Sequence, residues 1–372
     1  TSLQEDGTVV VGVMVSRKMG VKISNIKFTK SESKGITSND KGDDKIKPSG
    51  RVYSSNTVGA ASYEFIYVPN CDGTLKVTGP DGKTEERVLS AGDAARVNVA
   101  VNIGDNKISY TYAPKASDKI TSTDELKGDV TVKRATYGEE NGVLIVSPDG
   151  TKDGDATEAK PLNLATAVQY AQPGQTIVVM EGTYYLEKTV KVERGVNGTA
   201  DKPIQMVADT EASSRPVFDF QGLCAGMVLA GDYWYFQGFD VTNSANAQKG
   251  IQLSGKYNTM DNIMTYHNGN TGLQVSRYLT TDEFDMWPAY NLILNCTSYG
   301  NADAGYEDAD GFAAKLTVGD GNVFDGCISY NNADDGWDLF AKVQSGSIGA
   351  VTIKNSVAYG NGYLEDGTNA GN

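Results

Sequence analysis

The sequence predicts an all-β chain in which a small β-sandwich-like module is followed by a parallel β-helix. Two observations predict the β-helix: a seven-residue motif recurs four times, and the short apolar strands around it are broken by Asn and Gly turns. The content of 42 Gly and 20 Tyr also favours a β-rich, secreted protein. The 372 residues allow two domains. We expect the module at 1–115, a linker at 116–138 and the β-helix at 139–372.

The first 115 residues contain short apolar segments separated by Gly, Pro, Asn and Asp turns, as in a β-sandwich. Strands are predicted at 9–15, 63–68, 73–77, 95–101 and 107–112, a mobile loop at 30–50, and one further strand at 130–133 within the linker. Tyr53, Tyr63 and Tyr67 have a spacing that fits packing inside the module, with a carbohydrate-stacking face as the alternative. No function follows for the module from its sequence.

The β-helix is predicted to begin with a capping helix. Residues 162–172 have apolar side chains at helical spacing and end at Pro173-Gly174. A short amphipathic helix here would cover the apolar core that the first coil leaves open. Strands at 176–180, 189–192 and 204–208 are predicted to supply the first coils.

The recurring motif gives the coil its register. The four copies, which align without gaps, are 262–268, 295–301, 326–332 and 355–361. Each copy ends in Asn, at 268, 301, 332 and 361, and each has Tyr two residues earlier. Stacked Asn amides can hydrogen-bond from coil to coil and satisfy turn backbone, so we interpret this column as structural. A strand that begins with Gly follows at 272, 311 and 336, and Gly250 begins the same strand one coil earlier.

Four aspartates coincide in this register. Asp310 and Asp335 each directly precede a strand-opening Gly, Asp334 adjoins Asp335, and Asp338 lies two residues beyond Gly336 on the outward-facing side of its strand. Neighbouring strands lie about 4.8 Å apart, so the four carboxylates would converge. They would then need a cation or raised pKa values. Oxygen ligands without thiolate or imidazole indicate calcium. The alternative is that these Asp-rich turns are merely solvated.

Charge and composition exclude several classes of function. The net charge of −14 argues against a nucleic-acid partner, and it would repel a polyanion unless a metal ion and basic side chains reverse the local field. No apolar run reaches membrane-spanning length. The only histidine, His267, lies in a turn without an obvious serine partner, so a Ser-His-Asp triad is not predicted. We expect a secreted monomer, and the start at Thr1 indicates a processed or shortened chain.

Four cysteines are too scattered for a disulfide scaffold or a zinc site: Cys71, Cys224, Cys296 and Cys327. Cys296 and Cys327 occupy the same column of consecutive coils. Free thiols are expected there, although a disulfide between them is geometrically conceivable.

Three features from about residue 140 onward occur together: the Ser147-Pro148-Asp149-Gly150 opening with its capping helix, the Asn column, and the two Asp motifs at 309–312 and 333–338. In this combination the chain resembles pectate lyases of polysaccharide lyase family nine. The resemblance implies a right-handed parallel β-helix and β-elimination on polygalacturonate with a lysine base. Matched motif to motif, it implies a catalytic Ca²⁺ bound by four aspartates: Asp310, Asp334, Asp335 and Asp338.

The chain departs from the family pattern at the base. The family carries its lysine in a Gly-apolar-Lys segment on the coil after the Asp338 strand, and that position is expected beyond Asn372. The fragment is therefore expected to be weakly active or inactive. Arg277, Lys315 and Lys342 are candidates for substrate binding, since cationic side chains suit carboxylates. Arg277 precedes an insertion, 278–290, that would wall a groove.

Three other functions stay open at this point. Asp334, Asp335 and Asp338 would also suit a hydrolase that uses paired carboxylates and water. A lyase acting on another uronate polymer, such as alginate, would need the same chemistry. A non-catalytic calcium-binding adhesin or carbohydrate-binding protein would use the same ligands without turnover.

Overall fold

The computed structural model describes residues 45–371 and, near the N-terminus, the backbone of two short antiparallel strands, β1 (Ser2–Leu3) and β2 (Val9–Val10). The predicted strand at 9–15 beyond Val10, and residues 30–44 of the predicted loop, lie outside the described residues. Everything that follows concerns residues 45–371.

The sandwich-like module contains two antiparallel sheets with one short parallel pairing. Its strands are β3 (Gly50–Val52), β4 (Thr57–Val58), β5 (Ser62–Pro69), β6 (Gly73–Thr78), β7 (Thr84–Leu89), β8 (Ala95–Ala100), β9 (Gly104–Pro114) and β10 (Leu126–Arg134). Five strands pair in the order β4-β10-β9-β6-β7 and three in the order β3-β5-β8. Strand β10 lies inside the predicted linker and pairs with β9 along its whole length, so the sheet continues to Arg134.

The tyrosines of the module pack inward. Tyr63 and Tyr67 are 2% and 1% exposed, and Tyr53 is 8% exposed. The Tyr63 hydroxyl donates to the Ser55 carbonyl at 2.6 Å, and the Tyr53 hydroxyl donates to the Thr281 carbonyl at 3.1 Å. The three side chains therefore do not form a carbohydrate-stacking face, because their rings are buried.

The β-helix contains one α-helix, α1 (Leu164–Tyr170), one 3₁₀ turn (Phe284–Met286) and a series of short strands. The strands are β11 (Val143–Thr151), β12 (Thr176–Val179), β13 (Thr183–Tyr185), β14 (Val190–Val192), β15 (Ile204–Ala208), β16 (Val217–Asp219), β17 (Met227–Leu229), β18 (Trp234–Gln237), β19 (Asp240–Thr242), β20 (Ile251–Leu253), β21 (Thr259–Asp261), β22 (Met264–Tyr266), β23 (Leu273–Val275), β24 (Leu292–Leu294), β25 (Thr297–Tyr299), β26 (Phe312–Ala314), β27 (Asn322–Asp325), β28 (Ile328–Tyr330), β29 (Trp337–Asp338), β30 (Val351–Lys354) and β31 (Val357–Tyr359).

These strands form three parallel sheets that wind around one apolar core. Sheet A has the order β11-β12-β15-β18-β21-β24-β27-β30, sheet B β13-β16-β19-β22-β25-β28-β31, and sheet C β14-β17-β20-β23-β26-β29. Successive coils pair in register, and their inward side chains, such as Phe236, Phe312 and Phe324, are fully buried. The predicted parallel β-helix is confirmed.

Helix α1 closes the first coil, as predicted. The Asn163 side chain accepts a hydrogen bond from the Thr166 amide at 2.8 Å, which caps the helix N-terminus. Leu164, Ala167 and Val168 are buried in the same core as β11 and β14. The helix thus covers apolar surface that would otherwise face water.

The Asn column forms a continuous ladder beneath the start of sheet C. Asn268 donates through Nδ2 to Asn301 Oδ1 at 3.0 Å, Asn301 to Asn332 at 2.8 Å, and Asn332 to Asn361 at 2.9 Å. A Cβ on Gly311 would lie 1.9 Å from Ser329 Oγ and 2.7 Å from Asn332 Nδ2. The strand-opening position is therefore glycine because the ladder passes directly below it. The tyrosines of the motif stack with centroids 4.9–5.1 Å apart.

Other sequence expectations have clear outcomes. All four cysteines are free thiols. His267 occupies a left-handed turn position, and its Nε2 lies 2.7 Å from Glu365 Oε2. Among the described residues, no helix combines the length and apolarity that a membrane crossing requires. A second ladder, through Asn258, Asn291 and Asn322, was not predicted.

Candidate functional site

Three of the four predicted aspartates meet at the start of sheet C. Leu273, Phe312 and Trp337 pair in register on β23, β26 and β29. Two residues earlier on each rung, Thr271, Asp310 and Asp335 therefore form one column. Carboxylate oxygens of Asp310, Asp334 and Asp335 all lie within 4.8 Å of one another. The convergence expected from the repeat register is present for these three.

The fourth aspartate joins the group through a lysine. Asp338 lies on β29 opposite Ala313, and its Oδ2 is 2.8 Å from Lys315 Nζ. The same Nζ lies 2.8 Å from Asp310 Oδ2. Lys315 follows β26, yet it contacts the residue that precedes β26, so its side chain crosses the outer face of sheet C. Ala313, the strand partner of Asp338, is fully buried.

Asp310 is the most constrained member of this acidic centre, which we define as Asp310, Asp334, Asp335 and Asp338. Its side chain has no solvent exposure, and its Oδ2 accepts hydrogen bonds from Thr271 Oγ1 and Lys315 Nζ, both at 2.8 Å. Its Oδ1 is buried and has no hydrogen-bond partner among the described residues. Burying such an oxygen is costly. An oxygen-coordinated cation would satisfy it.

Mutual repulsion and burial shift the acidities at this centre. Burial, followed by the charges of Asp310 and Asp335, raises the pKa of Asp334 to about 7. Burial also raises the pKa of Asp310, although Lys315 opposes this. Burial alone would lower the pKa of Lys315, but Asp310 and Asp338 outweigh it and raise that pKa. The centre therefore lacks sufficient positive charge and retains a proton near neutrality.

This excess of negative charge predicts a pH-dependent stability of the metal-free protein. The pKa of Asp334 is higher in the folded state, so the folded state binds the proton more tightly than the unfolded state. Its stabilising contribution is complete below about pH 4 and is lost as the pH rises through about 7. In chelator, we expect the Tm of the wild type to fall across this range more steeply than that of Asp334→Asn. Equal slopes in circular dichroism melts would contradict this assignment.

Two further predicted side chains line a cavity that contains none of the four aspartates. Arg277 and Lys342 line a cavity of about 260 Å³ together with Leu316, Thr317, Gln344 and Ser345. Arg277 follows β23 and Lys342 follows β29, so the cavity borders the ends of the sheet C strands. The three candidate substrate residues therefore take different places: Arg277 and Lys342 line the cavity, whereas Lys315 reaches the acidic centre.

The insertion at 278–290 is held by a buried ion pair that the sequence did not reveal. Arg194 Nη1 and Nη2 lie 2.9 and 2.5 Å from Asp282 Oδ1 and Oδ2. Asp282 Oδ2 also accepts from the amides of Tyr278 and Leu279, each at 3.1 Å. Met286 of the insertion packs in a small cluster with Tyr53 and Ile66 of the module. The module thus supports the loop that follows β23.

The chain resembles proteins of one family over the β-helix. Residues 144–372 match the family profile described as Pel9A-like, right handed beta helix region. The chain is 36% identical over 367 residues to pectate lyase L of Thermoclostridium stercorarium, which covers 98% of this chain and 29% of that protein. It is 39% identical over 300 residues to pectate lyase L of Paenibacillus polymyxa (strain SC2), which covers 78% of this chain and 66% of that protein.

A solved structure has the same architecture. The crystal structure of pectate lyase Pel9A superposes with a TM-score of 0.52 and 30% sequence identity, over 62% of this chain and 56% of that one. The chain therefore spans less than two thirds of each of these three relatives.

Proposed function

We propose that this chain, which belongs to the Pel9A-like right-handed β-helix family, carries the active site of a secreted, calcium-dependent pectate lyase that cleaves polygalacturonate by β-elimination. The observation that carries this proposal is the cluster of Asp310, Asp334 and Asp335 carboxylates within 4.8 Å, which Lys315 joins to Asp338. The relatives named pectate lyase L support the same activity. Because the polymer is too large to enter a cell, its cleavage would take place outside.

Calcium is the cation that best suits the acidic centre. The donor set consists only of carboxylate oxygens, which Ca²⁺ prefers. The partnerless Oδ1 of Asp310 supports a cation at this point. When bound, Ca²⁺ would act as a Lewis acid on a uronate carboxylate and stabilise negative charge that develops there.

The protein side chains would bind and orient the uronate chain. In β-elimination a base takes the proton from C5, and the electron pair of the broken C5–H bond forms the C4–C5 double bond. The C4–O bond breaks, and the leaving oxygen keeps its electron pair and takes up a proton from water. Arg277 and Lys342 would hold the carboxylates of neighbouring uronates in their cavity. The loop that Arg194 and Asp282 fix would keep one wall of the groove in place. A lysine base is implied by the family resemblance; Lys315 does not suit this role while Asp310 and Asp338 raise its pKa.

One observation favours a second candidate, a hydrolase. With its pKa raised to about 7, Asp334 would suit a general acid near neutral pH, and Asp335 would be an adjacent carboxylate. Such an enzyme would keep its activity in chelator and would release saturated sugars. A lyase would lose its activity and would release products that absorb in the ultraviolet.

The decisive experiment follows unsaturated-product formation from polygalacturonate by the full-length protein. We expect ultraviolet absorbance to rise in calcium, to stop when a chelator is added, and to resume when calcium is restored. Asp153→Asn is a matched control, because Asp153 is exposed and far from the centre in sequence. Saturated products in chelator would support the hydrolase, and binding without turnover would support a non-catalytic protein.

A further inference from the structure

Lys249 occupies the same column as the acidic centre, two coils earlier. Strand β20 pairs in register with β23, and β23 with β26, so Lys249, Thr271 and Asp310 lie one above another. The Gly250 amide donates to the Thr271 carbonyl at 3.1 Å, and the Gly272 amide donates to the Asp310 carbonyl at 2.9 Å. At about 4.8 Å per rung, Lys249 begins roughly 10 Å along the sheet edge from Asp310.

The Lys249 side chain is half-buried and has no partner of opposite charge. Within residues 45–371, no hydrogen bond or ion pair is formed by its ammonium group. Burial lowers the pKa of Lys249, the positive charge of Lys315 lowers it further, and Asp308 partly opposes both. The like charges of Lys249 and Lys315 therefore repel each other, and the negative charge of Asp308 offsets only part of this effect on Lys249.

Lys315 is neutralised here by Asp310 and Asp338, at 2.8 Å each. A divalent cation on those two carboxylates would compete with the Lys315 ammonium for the same oxygens. Lys315 would then lack its partners, as Lys249 already does. A carboxylate would satisfy both ammonium groups through charge-assisted hydrogen bonds.

We propose that Lys249 and Lys315 form a binding subsite for the carboxylate of a second uronate, beside the uronate at the acidic centre and toward the earlier coils. This subsite rests on the proposed function and deepens it. It would select de-esterified uronate runs, because a methyl ester has no charge for the two lysines to bind. Lys249 is thus a specificity-determining residue, and it lies on the side of the acidic centre that faces the earlier coils.

The test compares Lys249→Gln with Lys152→Gln, which makes the same charge change at an exposed lysine near the capping helix. Binding is read without turnover, as retardation in native gels that contain polygalacturonate or fully methyl-esterified pectin. Activity of the full-length protein on polygalacturonate is read as separate KM and kcat values. Lys249 has no partner to lose, so Lys249→Gln should keep the wild-type Tm.

We expect Lys249→Gln to raise KM about tenfold with a smaller change in kcat, as for the loss of one charge-assisted hydrogen bond. Retardation by polygalacturonate should weaken in Lys249→Gln and recover in Lys249→Arg, and methyl-esterified pectin should retard none of the variants. If Lys249→Gln and Lys152→Gln have equal KM values and equal retardation while lyase activity is present, the subsite proposal is wrong and the proposed function is unaffected. Lysine-dependent retardation without any lyase activity would support the subsite and refute the proposed function.

Discussion

Asp310→Asn is expected to weaken calcium binding strongly and to abolish lyase activity while the fold persists. Asn keeps the shape of the side chain and an oxygen that can accept from Thr271 Oγ1, so the buried hydrogen bond survives. It removes the charge that pairs with Lys315 and one oxygen that a cation requires. We expect calcium affinity to fall at least about a hundredfold, as measured by isothermal titration with calcium alone.

A second variant, at Lys315, distinguishes the loss of a metal ligand from the loss of folded structure. Lys315→Met keeps an unbranched side chain over Ala313 but removes the ammonium that shares oxygens with a cation. We expect calcium to bind this variant more tightly than the wild type, and the metal-free protein to melt at a lower temperature, because Asp310 and Asp338 lose their counter-ion. If Asp310→Asn binds calcium as tightly as the wild type, the acidic centre is not the metal site.

Arg194→Met is expected to be the most destabilising substitution at an ion pair in the described chain. It would leave Asp282, whose side chain is 0% exposed, buried and without its counter-charge. Breaking a buried pair on one side costs about 3–5 kcal/mol, which corresponds to a Tm lower by about 5–10 °C. The insertion at 278–290 would lose its anchor, so we also expect a raised KM for polygalacturonate. Thermal melts and steady-state kinetics measure both effects.

Two companion variants make this result interpretable. Arg87→Met breaks the exposed pair with Glu85 and should cost less than about 1 kcal/mol. Arg194→Met combined with Asp282→Asn should recover part of the stability, since Asn keeps an acceptor for the Tyr278 and Leu279 amides without a buried charge. If Arg194→Met and Arg87→Met melt at the same temperature, the Arg194–Asp282 pair does not anchor the loop.

The acidic centre was largely predictable because a β-helix turns sequence spacing into spatial register. Once the Asn columns align, Asp310 and Asp335 must occupy adjacent rungs, since in-register parallel pairing repeats at every coil. The capping helix was predictable for a similar local reason: its apolar positions and its Asn163 cap lie within a few residues of one another. The module was less predictable, because its tyrosines have a spacing that fits either a core or an exposed face.

The repeat pattern in the amino-acid order was enough to establish the coil, its cap and the stacking of Asp310 beneath Asp335. The directions that long side chains take, and the contacts between residues far apart in sequence, could be seen only in the folded structure. Lys315 reaches back past β26 to Asp310, Arg194 meets Asp282 from 88 positions away, and Lys249 lies near Lys315 across two coils. Local periodicity specifies the register of the backbone. The contacts of long flexible side chains depend instead on the charges around them and on the space that their neighbours leave.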